Sequence, residues 1–117
     1  TACGQLDASG VDQQRVQLKS TVAEASLLVD GAARNEFTAP FVKARAEELS
    51  DDAAKVQSSL ADSQVAAPAR AKAAKLRDAA RLLAGAMDRL QGSPGDPRLA
   101  AGLNAQLKQA QAALDAA

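Results

Sequence analysis

Apolar residues recur in four stretches of this chain at alternating spacings of three and four, the period of a helix that buries one face. Val11, Leu18, Val22, Ala25, Val29 and Ala32 mark the first stretch, and Val42, Ala46, Leu49, Ala53, Val56 and Leu60 the second. Ala69, Ala73, Leu76, Ala80, Leu83, Met87 and Leu90 form the third, and Ala100, Leu103, Leu107, Ala110, Leu114 and Ala117 the fourth. The pattern predicts helices over residues 10–34, 39–64, 68–91 and 97–116, preceded by an irregular leader over residues 1–9.

The polar breaks between the stretches carry the chemistry of helix ends. Ser9 with Asp12 three residues on fits a cap at the first start, and Thr38 with Pro40 fits the second. Ala66-Ala67-Pro68 interrupts the second stretch, and Gln91-Gly92-Ser93-Pro94-Gly95 is the clearest turn. Asp96-Pro97 then restarts a helix, with aspartate at the cap and proline at the first helical position.

Folding each turn back on itself predicts an all-α antiparallel up-down-up-down four-helix bundle. Leu49 then falls opposite Leu83, and Leu83 opposite Leu107. Leu18, Val56, Leu76 and Leu114 share a second full layer, and Val22, Ala53, Ala80 and Ala110 a narrow one. Phe37 and Phe41 are expected to fold over the bundle end at the first turn.

Composition sharpens this picture. The 117 residues suit one domain, and about a quarter of them are alanine, with no isoleucine, tryptophan, tyrosine or histidine. Alanine favours helix and close helix approach over sheet, so the core is thin. The 14 basic and 14 acidic side chains cancel, which argues against nucleic acid as a partner. No run approaches eighteen consecutive apolar residues, so nothing in the chain spans a bilayer.

Catalytic chemistry finds little here. Without histidine there is no imidazole base, and the single Cys3 lies in the leader, away from any partner that a nucleophile needs. Glu47-Glu48 and Asp51-Asp52 place carboxylates four apart on a helix face, but no third ligand accompanies them. A solvated acidic face is the expectation, with no metal and no cofactor. Gly92-Ser93-Pro94-Gly95 lacks the lysine and helix context of a phosphate loop.

The third stretch is the basic one. Antiparallel alignment brings Arg70 near Asp62, Arg81 near Asp51 and Asp52, and Arg45 near Asp88. Lys72, Lys75 and Arg77 are left over as a possible interaction surface for anionic headgroups or an acidic partner. Arg15 falls in a core slot near the bundle end and is expected to snorkel past Leu60 and Ala73 into water.

Cys3 is the most telling functional residue, being unable to form an internal disulfide and lying in no metal-ligand spacing. Thr1-Ala2-Cys3-Gly4 resembles the end of a bacterial lipobox, in which a leucine, a small residue and then alanine or glycine precede a cysteine that is diacylated before cleavage. The resemblance covers four residues and lacks the leucine and the apolar signal segment. It implies lipidation at Cys3, an extracytoplasmic place in the bacterial cell envelope, and membrane attachment through the acyl chains. Gly4 to Ser9 would then be a tether of at most about 20 Å.

Three functional expectations follow. The first is a non-enzymatic, lipid-anchored bundle serving as a binding or structural accessory, with a protein partner in the envelope. The second is a sensing bundle that holds a small molecule at the narrow layer of Val22, Ala53, Ala80 and Ala110. The third is a homo-oligomer formed through an alanine-rich face of the third helix, where Ala79, Ala84 and Ala86 widen the stripe and Leu82 lies outside it.

Overall fold

The computed structural model describes residues 5–117. Cys3 and its lipobox-like neighbours lie outside them. Four helices account for most of the described chain: α1 (Ala8–Ala33), α2 (Ala39–Ser59), α3 (Arg70–Gly92) and α4 (Pro97–Ala116). Two short 3-10 turns, Asp62–Gln64 and Ala67–Ala69, lie between α2 and α3. No described helix is long and apolar enough to cross a membrane.

Each helix start follows from its local sequence. The Asp96 carboxylate accepts hydrogen bonds from the backbone N–H groups of Arg98 and Leu99 at 3.0 and 3.2 Å, with Pro97 at the first position, where its missing N–H leaves nothing unpaired. Thr38 Oγ1 accepts from Phe41 N–H at 3.4 Å. At α1 the cap is Asp7, which accepts from Gly10 N–H at 2.9 Å, and not Ser9, so the helix begins two residues earlier than the sequence predicts. A carboxylate is the stronger acceptor for an orphan N–H, and the cap at Asp7 satisfies the Gly10 amide at the third position of the first turn.

The end of α1 closes through a left-handed residue. Asn35 has φ 61°, Asn35 N–H donates to Ala32 O at 3.1 Å, and Glu36 N–H donates to Gly31 O at 2.8 Å. This is the paired closure that satisfies orphan carbonyls at a helix end, and asparagine tolerates the conformation better than a branched residue.

Every residue of the four predicted stripes is buried except Ala117, which is partly buried at the chain end. The core is wider than the stripes, because Leu28, Val65, Ala79 and Ala86 are also buried. Ala79 and Ala86 are fully buried, and Leu82 and Ala84 pack partly against the core. The alanine-rich face read as a route to self-association is therefore mostly interior. Thr21, the one buried polar residue among those described, donates its hydroxyl to Gln17 O one turn earlier at 3.0 Å.

Helix packing is uneven. The α2–α3 interface is the most extensive, α4 lies against both α3 and α1, and α1 meets α2 more sparingly. The molecule extends 50 × 23 × 17 Å.

The largest departure from the sequence reading lies at the α2–α3 connection. α2 stops at Ser59 rather than near residue 64, and α3 starts at Arg70 rather than 68. The leader is the reason. Leu6 N–H donates to Gln64 O at 2.7 Å and Ala66 N–H donates to Leu6 O at 2.8 Å, a parallel bridge between Leu6 and Val65 that requires Val65 and Ala66 to be extended. Val65 is fully buried, and Leu6 packs on the core beside Gly10, where an added Cβ would stand 2.8 Å from Leu6 Cδ2. The leader is thus a strap on the bundle from Leu6 onward, not a free tether to Ser9.

Candidate functional site

The three basic residues left without partners by sequence alignment all have them. Lys72 pairs with Asp12 on α1. Lys75 Nζ donates to Ala116 O at 3.3 Å, and Arg77 Nη1 donates to both Leu60 O and Asp62 Oδ1 at 2.8 Å. Arg15, half-buried, donates from Nε to Leu114 O at 3.2 Å rather than reaching only water.

For three of these four residues, Lys75, Arg77 and Arg15, a contact has a common cause. The last carbonyls of a helix have no partner within it and carry partial negative charge. Neither α2 nor α4 has a basic residue in its own last turn. Arg77 supplies a cation to the end of α2, and Lys75 and Arg15 supply cations to the end of α4. Of the three residues of the expected basic interaction surface, Lys75 and Arg77 reach helix-end carbonyls and Lys72 meets a carboxylate of α1.

The predicted ion pairs are redistributed in the same way. Arg70 donates to Val65 O, Arg81 pairs with Asp78 on its own helix, and Asp88 accepts from Ser50. Sequence register fixes which helices meet, but long side chains choose among several acceptors at similar distance. Arg77 holds the Asp62 carboxyl below its ordinary value of 3.8, first by hydrogen bond and then by charge, with Arg70 adding a smaller attraction.

A lowered folded value means that this pairing contributes stability above the ordinary carboxylate range and loses it as pH falls through the folded value. Urea unfolding between pH 7 and pH 2 is expected to show this loss in the native protein. Arg77→Gln is expected to flatten the acid limb, and an acid limb unchanged in that variant contradicts the assignment.

The opposite end of α1 carries a different kind of surface. Phe37 and Phe41, the only aromatic residues in the chain, stack with centroids 5.0 Å apart and planes tilted by 48°, yet remain 38% and 49% exposed. Leu27, at 70% exposure, stands beside them. With Leu28, Glu24 and Arg45 they line a cleft of about 220 Å³ between α1 and the start of α2. A thin-cored protein gains about 1.5 to 3 kcal/mol from burying a phenylalanine, so leaving both at the surface forgoes substantial stability.

Gly31 explains how Phe37 reaches this position. A Cβ there would lie 2.0 Å from Phe37 Cε2, so only glycine lets the ring lie against the α1 backbone. Asn35, in its left-handed conformation, turns the chain so that Phe37 folds back over that gap. A glycine one residue before the end of an apolar stripe, followed by a phenylalanine six residues on, was the available sequence signal.

Gly31→Ala is expected to expel Phe37 from the cleft. The gain in helix propensity, about 1 kcal/mol, offsets lost packing, so stability changes little while the Phe37–Phe41 stacking disappears. Ring-to-ring NOEs retained in the variant would contradict this.

The charged wall of the cleft is a three-residue cluster. Arg45 Nη2 donates to Glu24 Oε2 at 2.7 Å and Nη1 donates to Glu48 Oε2 at 2.5 Å. Glu48 thus serves Arg45 rather than a shared site with Asp52. A second, more polar cleft of about 360 Å³ lies between α1 and α4, lined by Ser26, Asp30, Asn104, Leu107, Lys108 and Gln111. Neither cleft is lined by the narrow layer proposed to hold a ligand, whose residues Val22, Ala53, Ala80 and Ala110 are all buried. Compared with protein families, curated proteins and solved structures, the chain matches none.

Proposed function

We propose that this protein is a non-enzymatic accessory of the bacterial cell envelope, held at the membrane by lipid on Cys3 and working through the aromatic cleft between α1 and α2. The observation that carries this reading is the placement of Leu27, Phe37 and Phe41 at the surface around one cleft. Exposed apolar clusters rimmed by charge mark interaction sites, and aromatic side chains contribute much of the binding energy at such sites.

The four helices alternate in direction in this reading, as an antiparallel up-down-up-down bundle. Its support is that contacts advance along one helix as they retreat along the next: Arg15 near the start of α1 meets Leu114 near the end of α4, and α3 meets α4 at Lys75 with Ala116 and, further along α3 and earlier in α4, at Leu82 O with Gln106 Nε2 at 2.9 Å. Leu60 O with Arg77 and, earlier in α2 and later in α3, Ser50 with Asp88 give the same sense for α2 and α3.

The strap gives the anchor a direction. Leu6 is fixed to the α2–α3 connection, and Cys3 is three residues before it, a reach of about 10 Å. α1, with 26 residues, runs for roughly 39 Å before the chain reaches Phe37. An acyl group on Cys3 therefore holds the strapped end near the lipid and puts the aromatic cleft at the far end, facing a partner rather than the bilayer.

The test is expression of the precursor in a bacterium, followed by mass spectrometry of the N-terminal peptide and membrane fractionation. Acyl chains on Cys3, and loss of the protein from the membrane fraction in Cys3→Ala, are expected. An unmodified thiol and unchanged fractionation would overturn the anchoring.

A further inference from the structure

The aromatic cleft is a groove with two chemically distinct ends. Its α1 wall carries Glu24, Leu27 and Leu28, and the facing wall carries Phe37 from the α1–α2 turn and Phe41 and Arg45 from α2. From Phe41 to Arg45 is one helical turn, about 6 Å. Leucines and phenylalanines occupy one end. At the other, two carboxylates share a single guanidinium, leaving one excess negative charge.

Size limits the occupant. A dry cavity of about 150 Å³ accepts a benzene ring, so this cleft has room for one leucine or phenyl side chain. Three partly exposed apolar side chains present on the order of 300 to 400 Å², against about 800 Å² per partner in a stable interface. The patch alone is too small to hold a second copy of the chain. It suits the anchor residue of a short segment.

We infer that the groove receives one or two turns of an amphipathic helix from a partner protein. A leucine or phenylalanine of that helix seats between Leu27 and Phe41, and a lysine or arginine one turn away meets Glu24 and Glu48. The one-turn offset is set by the groove itself, because Phe41 and Arg45, like Leu28 and Glu24, are four residues apart. Apolar anchoring with a flanking charge is the general mode by which helices dock into grooves, the charge adding selectivity against acidic helices. The inference rests on the cleft being the working surface.

The experiment is an NMR titration of the full chain with two acetylated, amidated alanine-based peptides of about 16 residues. One carries leucine and, four positions along, lysine; the other has glutamate in place of the lysine. Saturable shifts at Glu24, Leu27, Phe37 and Phe41 are expected with the lysine peptide, with affinity at least about tenfold above that of the glutamate peptide. Glu24→Gln with Glu48→Gln should bring the two peptides to within about twofold. Leu27→Asp, at an exposed position that leaves the fold intact, should abolish both interactions.

Equal affinity of the two peptides at the groove overturns the basic character of the partner and leaves the cleft as an apolar binding surface. Shifts centred elsewhere, or none, overturn both the partner and the cleft's role. Concentration-dependent shifts at these residues without peptide overturn the assignment in favour of a second copy.

Discussion

Replacing Leu83 by alanine is expected to lower the unfolding free energy by about 3 to 4 kcal/mol, and the melting temperature by roughly 10 to 15 °C. Leu83 is fully buried at the middle of α3, the helix that packs on both α2 and α4. The core it belongs to is rich in alanines, which have no rotamers with which to fill a gap. The void therefore persists, and the cost falls in the middle of the range for leucine truncation rather than at its lower end. Small domains are stable by only about 5 to 15 kcal/mol, so one such change removes a large share. Leu27→Ala is the control: the same atoms are removed from a side chain that is 70% exposed, and the expected change is within about 0.5 kcal/mol. Chemical denaturation of both variants checks the pair, and similar losses for the two would contradict the placement of Leu27 at the surface.

Val65→Asp is expected to destabilise by at least about 3 kcal/mol and to release the N-terminal strap. Val65 is fully buried within a connection that sequence reading assigns to the tail of α2 and a break. A carboxylate there has no described cation aimed at it, since Arg70 donates to the Val65 carbonyl from outside. The backbone bridge to Leu6 depends on that side chain keeping residues 65 and 66 extended and docked. Hydrogen exchange at the Leu6 and Ala66 amides reports the strap directly, and both should lose protection. Val16→Asp, at a site 62% exposed, should leave them protected. Equal effects of the two substitutions would contradict the strap.

The helical stripes were legible because a period of three and four, repeated over five or six turns, has few other interpretations. Caps at Thr38 and Asp96 were equally plain, since each couples a side-chain oxygen to the N–H groups just ahead of it. The strap was not legible. It rests on two backbone hydrogen bonds between residues far apart in sequence, and its apolar contribution is one residue on each side, too short for any period. Ala79 and Ala86 were misread for a different reason: alanine suits both a solvent face and a close helix contact, so only packing distinguishes them.

The site was partly legible. Phe37 and Phe41 were expected at the α1–α2 turn, and they lie there, but their exposure depends on the sparing contact between α1 and α2. Gly31 carried the clue, readable only once Phe37 is known to fold back on it. Lys72, Lys75 and Arg77 looked available because their acceptors are mainly backbone carbonyls and a cross-bundle aspartate, which charge alignment of adjacent helices does not count.

Attenuation of methyl and aromatic NMR signals by a water-soluble paramagnetic agent, on the full chain, tests most directly whether the thin alanine and leucine interior excludes the aromatic cleft and leaves it open to a partner. Strong attenuation is expected at Leu27 and the Phe41 ring, intermediate attenuation at Phe37, and none at Leu83, Leu107 or Val65. Protection of Leu27 and Phe41 to the level of Leu83 would mean that the cleft is closed in solution, and the proposed binding surface would not exist.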